Sequence, residues 1–182
     1  NTLGPANTDW EDELTRNAWT QNHNLSLSGG TSTTRYRATL NYFEQQGVVI
    51  SNGMRRYQGR INASNSAFND KLQSSLNLTV SRVFNDFLPF DNRAGFDGGV
   101  FTNMVSFDPT QPVKLDNGNF YEVGAGAQSI RNPVAMARQI ADQAPETRTL
   151  GNFTASYGVL PNLTFRTTLG ADVASSVRQT YF

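Results

Sequence analysis

Residues 21–46 read QNHNLSLSGGTSTTRYRATLNYFEQQ, and the two-residue period in this stretch decides the fold. Leu25 and Leu27 alternate with Asn24, Ser26 and Ser28. Gly29, Gly30 and the polar residues 31–33 supply a turn. Beyond it, Tyr36, Ala38, Leu40 and Tyr42 alternate with Arg35, Arg37, Thr39 and Asn41. Successive side chains of a strand point to opposite faces. The stretch therefore predicts a hairpin with one apolar, aromatic face and one face of arginine, threonine, serine and asparagine.

The same period recurs outward from this hairpin. In residues 54–68, Tyr57, Gly59, Ile61 and Ala63 alternate with Arg56, Gln58, Arg60, Asn62 and Ser64. In residues 71–86, Leu72, Leu76, Leu78 and Val80 alternate with Gln73, Ser75, Asn77 and Thr79. Residues 147–159 set Phe153, Ala155, Tyr157 and Val159 against Asn152, Thr154 and Ser156. Leu163, Phe165, Leu169, Ala171 and Val173 then alternate with Thr164, Arg166, Thr168 and Asp172, and the tail, 174–182, is expected to continue that strand. Turn signals stand at Asn52-Gly53, Asn69-Asp70 and Pro161-Asn162.

Residues 87–146 break the pattern. They carry the aromatics Phe87, Phe90, Phe96, Phe101, Phe107, Phe120 and Tyr121, and a turn signal at residues 116–119 (DNGN). A helix is predicted over 132–144, with Asn132 as N-cap, Pro133 in its first position and Pro145 as its stop. A loop this long inside a compact domain is commonly functional. At the other end, a short helix over residues 9–16 is capped by Thr8 or Asp9, with Glu11, Asp12 and Glu13 at its positive end. Trp10, Leu14 and Trp19 are its candidates for docking.

The predicted strands are about 10–15 residues, longer than the usual ~5–6 and sufficient for the ~9–11 tilted residues that cross a bilayer. Connection lengths alternate: short turns join strands one to two, three to four and five to six, and the longer connections fall between the pairs. All short turns then lie at one end of the sheet and all long connections at the other, as in outer-membrane barrels. About six strands cannot enclose a lumen, so the prediction is an arc: all-β, an antiparallel transmembrane β-barrel segment of about six strands in three hairpins, with one long extracellular loop containing a short helix.

On this reading residues 1–19 form an extracellular loop segment, 20–86 four barrel strands, 87–146 the long extracellular loop, and 147–182 two barrel strands. Leu25, Leu27, Leu40, Ile61, Leu76, Leu78, Phe165 and Leu169 face lipid. Arg35, Arg37, Arg56, Arg60 and Arg166 face the lumen, bridging cross-strand partners or contacting a plug or substrate. Tyr36, Tyr42, Tyr57 and Tyr157 are candidates for interfacial girdles. The rival is a secreted β-sandwich, such as a carbohydrate-binding module, which needs Leu25, Leu40, Ile61, Leu76 and Phe165 in a core.

Composition fits a wall without excluding the rival. The chain of 182 residues is 37% hydrophobic and 16% charged, with mean hydropathy −0.47. That is below the ~25% charge of soluble domains; Asn, Thr, Ser, Gln and Gly fill the difference. Zero net charge offers nothing to nucleic acid. There is no cysteine, hence no disulfide or thiolate metal site. No apolar run reaches the length of a transmembrane helix, which has no bearing on a barrel. The chain starts at Asn1 without methionine or signal peptide and reads as a piece of a longer protein that is not expected to fold alone in water.

Residues 8–49, TDWEDELTRNAWTQNHNLSLSGGTSTTRYRATLNYFEQQGVV, resemble the barrel region of SusC/RagA-type TonB-dependent transporters of Bacteroidetes. The NHNLSLSGG pattern, the strand with Tyr36, Leu40, Tyr42, Gln45 and Gly47, and the next strand with Arg56, Arg60 and Asn62 carry the resemblance. The DPTQPV, NPVAMA and LGNFTASYGVLPNLTFRTTLG segments follow in order. The resemblance implies a 22-stranded barrel with a plug, importing oligosaccharides or peptides across the bacterial outer membrane. It implies a SusD-like lipoprotein as lid and TonB as energy source, acting through regions not in this chain. Phe96, Phe101, Phe107 and Tyr121 are then the candidate substrate or lid contacts.

No enzyme is predicted and no cofactor is called for. The single histidine, His23, begins a strand and reads as a rim residue, so neither a histidine metal site nor a triad is on offer. The acidic cluster of residues 9–13 reads as a helix N-terminal charge cluster. Residues 95–99 (GFDGG) lack the Lys-Ser/Thr sequel of a phosphate loop. The N-x-S/T triplets at Asn24, Asn62, Asn77, Asn152 and Asn162 follow from a polar face rich in these residues.

Overall fold

A computed structural model of the chain describes residues 3–89, 98–123 and 130–181. Six long antiparallel strands form one open sheet: β1 (Thr20–Gly30), β2 (Thr34–Gln46), β3 (Gly53–Ala67), β4 (Leu72–Phe87), β6 (Glu146–Leu160) and β7 (Leu163–Ser176). They are ordered β1-β2-β3-β4-β6-β7, so each strand lies beside its neighbour in sequence and β1 and β7 are the free edges. Two three-residue strands, β5 (Ala141–Gln143) and β8 (Gln179–Tyr181), extend the loop end of β4. The segment is an arc of antiparallel sheet and does not close.

The hairpin over residues 21–46 forms as the alternation requires, with Leu25 opposite Leu40 and Leu27 opposite Ala38. Register carries the pattern across the sheet. Leu27, Ala38, Ile61, Leu78, Gly151 and Ala171 make one row, and Gly29, Tyr36, Ala63, Leu76, Phe153 and Leu169 the next on the same face. A one-residue slip anywhere would move a whole strand's apolar set to the other face. The turn after β3 puts Phe68, Asn69 and Asp70 at φ of 54°, 55° and 65°. Asn and Asp tolerate this left-handed region; Phe68 does so against its Cβ.

Among the described residues no layer covers the apolar face. Leu25, Leu40 and Phe165 keep 69%, 63% and 64% of their surface exposed, and Ile61 and Leu76 are also exposed. This removes the sandwich, whose stability would require these residues in a core.

The buried core lies off the sheet, at the end where the long connections meet. There, α1 (Trp10–Leu14), α2 (Val100–Ser106) and α3 (Pro133–Gln139) pack Trp10, Leu14, Leu88, Val100, Phe107, Val134, Met136, Ala137 and Ile140 together. Asp9 caps α1 through hydrogen bonds from the Glu11 and Asp12 amides. Of the segment's docking candidates, Trp10 and Leu14 are buried but Trp19 stays about half exposed. The segment before α1 runs beside residues 108–111, with Ala6 N–H bonded to Thr110 O and Thr8 N–H to Pro109 O.

Three features differ from the sequence prediction. The helix expected over 132–144 ends at Gln139, because Ile140 leaves helical backbone and β5 pairs with Asp86 and Phe87. A second loop helix, α2, has no capping side chain at Gly99 to announce it. The last strand stops at Ser176, and residues 179–181 turn back onto β5. Phe90, Phe96 and most of residues 95–99 lie outside the described residues.

Candidate functional site

Three surfaces follow from this architecture: the polar face, the apolar face, and the cap that closes the long-connection end. On the polar face, register aligns Ser28, Arg37, Asn62, Asn77 and Asn152 in one row. The row beside it holds Arg35, Ser64, Ser75, Thr154 and Thr168, and Ser26, Thr39, Arg60 and Thr79 flank the other side. Side chains bond across the strands: Asn77 donates to Asn152 at 2.9 Å, Thr154 and Thr168 meet at 3.0 Å, and Asn41 donates to Asn22 at 2.6 Å.

The five arginines expected on this face all share its parity, but they are used differently. Arg60 Nε donates to Thr79 at 3.3 Å and Arg166 Nε to Ser156 at 3.0 Å. Arg56 lies over the Phe43 ring at 5.4 Å, its Nε buried without an acceptor. Arg35 and Arg37 make no hydrogen bond or ion pair among the described residues. Arg35 lines a hollow of about 520 Å³ with Asp70, Gln73, Ser75 and Arg166. The surface thus offers cations, amides and hydroxyls at strand spacing, a set able to bond many hydroxyl or amide groups weakly rather than one group tightly.

One pair on this face was not legible in the sequence. Arg148 reaches Asp172 through two hydrogen bonds of 2.9 and 2.5 Å. They lie on adjacent strands, two residues out of direct register. Nothing but the register could have found them.

The apolar face carries aromatics near both ends. Toward the loops, Tyr42 and Tyr57 are cross-strand partners with ring centroids 5.1 Å apart, flanked by His23 and Phe84. Toward the short turns stand Tyr157 and Phe165, also partners. Tyr57 shares a row with Arg82, and Tyr157 one with Leu72. Ten residues of β4 separate those rows. At a rise of ~3.3 Å and a tilt of ~40° they stand ~25 Å apart, the height of an outer-membrane apolar band.

In the cap, the fully buried Asn132 organises α3. Its side-chain oxygen accepts from the Val134 and Ala135 amides, and its amide group donates to Val113 O and Tyr121 O, each at 3.0 Å. On β5, Asp142, 4% exposed, receives two bonds from Arg178 at 2.8 and 2.5 Å. Asp108 accepts from the Thr110 amide and hydroxyl, which hold its carboxyl below the usual carboxylate range.

The loop aromatics separate accordingly. Phe107, expected among the outward contacts, is buried edge-on against Trp10 at 4.8 Å, because the cap needs a core of its own. Tyr121 packs against Phe107 from the side at 6.3 Å. Phe101 is 42% exposed, and Phe96 lies outside the described residues. No group of three or more His, Cys, Asp or Glu among the described residues could hold a metal.

Comparison with known proteins gives consistent relatives. The chain is 27% identical to the TonB-dependent receptor SusC of Bacteroides thetaiotaomicron, over 98% of its own length and 19% of that protein's. It is 31% identical to the TonB-dependent receptor P3 of Formosa agariphila, over 92% of the chain and 17% of that protein. No family model matches. Solved structures of the RagAB peptide importer superpose on 98% of the chain with a TM-score of 0.71 at 22% identity, using 20% of the matched chain. The chain thus spans about a fifth of the length of the curated relatives it matches.

Proposed function

The chain being a segment of the barrel of a SusC/RagA-type TonB-dependent transporter, we propose that it forms about a quarter of the wall of an outer-membrane nutrient importer, 22-stranded as its family implies. The apolar face meets lipid, the polar face lines the lumen, and the capped end is extracellular. The carrying observation is a single sheet with both faces open: Leu25, Leu27, Leu40 and Leu169 on one, Arg35 and Arg37 on the other, and the only hydrophobic core among the described residues set in the loops. In water the apolar face would be a large unpaid exposure; in a bilayer it is solvated by hydrocarbon.

The cargo is an oligosaccharide or peptide. Rows of Asn, Ser, Thr and Arg suit a hydroxyl- or amide-rich solute passing in steps, and the RagAB importer carries peptides. The partner is a lipoprotein lid over the cap, with the partly exposed Phe101 as an aromatic contact. Energy enters from TonB through regions outside these residues. The test is fractionation of cells making the full-length protein, followed by electrophoresis with and without heating in detergent. A heat-modifiable outer-membrane protein is expected. A monomer soluble without detergent would refute the reading.

A further inference from the structure

We propose that the apolar face holds a groove for one acyl lipid with a phosphate headgroup, floored at Gly59 and headed by Arg82 and Tyr57. This rests on the lipid-facing reading above. Leu40, Gly59 and Val80 form one row across β2, β3 and β4. Lacking a side chain between two branched neighbours, Gly59 leaves the face open down to backbone. A Cβ built there would find one atom within 4 Å, Leu40 Cδ2 at 3.8 Å. The resulting hollow, about 620 Å³, runs into the next row toward the loops, where His23, Tyr42, Tyr57 and Arg82 stand. β3 has both its neighbours in this chain, so the floor does not depend on what pairs with the sheet's free edges.

The head of the groove decides the occupant. Tyr42 spends its hydroxyl on Glu44 at 2.6 Å, and Arg55 sits 3.8 Å from Asp86; both carboxylates lie beyond the Tyr42 row, toward the loops. Arg82 and Tyr57 are direct cross-strand partners. Neither has a hydrogen-bond acceptor among the described residues, and the Arg82 guanidinium rests over the Phe84 ring at 4.9 Å. On two residues paired across the strands at the aromatic row, a guanidinium and a hydroxyl that no described acceptor takes supply the donors of an oxyanion receptor, and such charge-assisted bonds are the strong ones. An arginine at this depth would snorkel to water in any barrel. The dent below it adds a seat for hydrocarbon, and the two together fit a molecule with both parts.

The test uses the full-length transporter in detergent, titrated with dioleoylphosphatidic acid and followed by native mass spectrometry. Wild type is expected to retain one lipid. Gly59→Phe, which fills the floor, is expected to lose it, and Arg82→Gln to weaken it about tenfold, the scale of one charged hydrogen bond. Dioleoylglycerol is expected to bind as weakly to wild type as phosphatidic acid binds to Arg82→Gln, and inorganic phosphate to displace nothing. Unchanged binding in Gly59→Phe, or displacement by inorganic phosphate, overturns the groove. Brominated-lipid quenching of Leu27→Trp against Ser26→Trp reads the premise separately. Stronger quenching of Leu27→Trp beside a failed groove sinks the groove alone; equal quenching sinks the lipid-facing reading with it.

Discussion

Leu78 and Asn77 are neighbours in β4 that point to opposite faces, and an arginine at each should behave oppositely. Leu78 lies two rows inside the Tyr57–Arg82 row and three from the Leu72–Tyr157 row. At ~3.3 Å per residue and ~40° tilt it is ~10 Å below the upper aromatic row of a ~25 Å band, close to mid-depth. Its side chain leans over Gly151, where an added Cβ would meet Leu78 Cδ1 at 3.2 Å. Arginine at the midplane on the lipid face costs ~2–4 kcal/mol. Leu40, one row nearer the rim, should lose roughly half as much, since the cost falls toward the interfaces. Asn77→Arg gives up one exposed bond to Asn152, about 1 kcal/mol at most. The assay is urea-dependent folding of the full-length barrel into phosphatidylcholine vesicles, read by heat-modifiability. The expected order of destabilisation is Leu78→Arg, then Leu40→Arg, then Asn77→Arg. A larger loss for Asn77→Arg than for Leu78→Arg would refute the facing assignment.

Asn132→Ala removes the α3 N-cap and one donor from each of two half-buried carbonyls, Val113 O keeping the Tyr121 amide, so the cap should loosen by ~1–2 kcal/mol while the sheet stays intact; limited proteolysis should nick the cap faster with heat-modifiability retained. Asp108 has a folded carboxyl pKa below its unfolded value, so its contribution is present above the unfolded pKa and fades as pH falls through the folded one. Protease sensitivity of the cap should rise on acidification below about pH 4, and Asp108→Asn should remove part of that rise. Asn69→Gly relieves one left-handed residue in the β3–β4 turn and should raise barrel stability by up to ~1 kcal/mol in the same urea assay, whereas Asn69→Val should lower it.

Much of the wall was legible in the chain because a strand's side-chain period is local. Leu25, Leu27, Leu40, Leu76 and Leu78 announce their common face through their immediate neighbours, and Asn132-Pro133 announces a helix start through hydrogen bonds spanning three residues. The alternation of short and long connections also put every loop at one end before any coordinate did. Tertiary structure alone decided what depends on residues far apart in sequence. The Arg148–Asp172 pair exists because β6 and β7 adopt one register. Helix α3 stops at Gln139 because the rim of β4 offers Asp86 and Phe87 as partners to Gln143 and Asp142. Phe107 turned inward because Trp10, almost a hundred residues earlier, supplied a ring to pack on. An aromatic in a loop carries no local sign of which way it will face, since that is set by whichever distant apolar surface reaches it first.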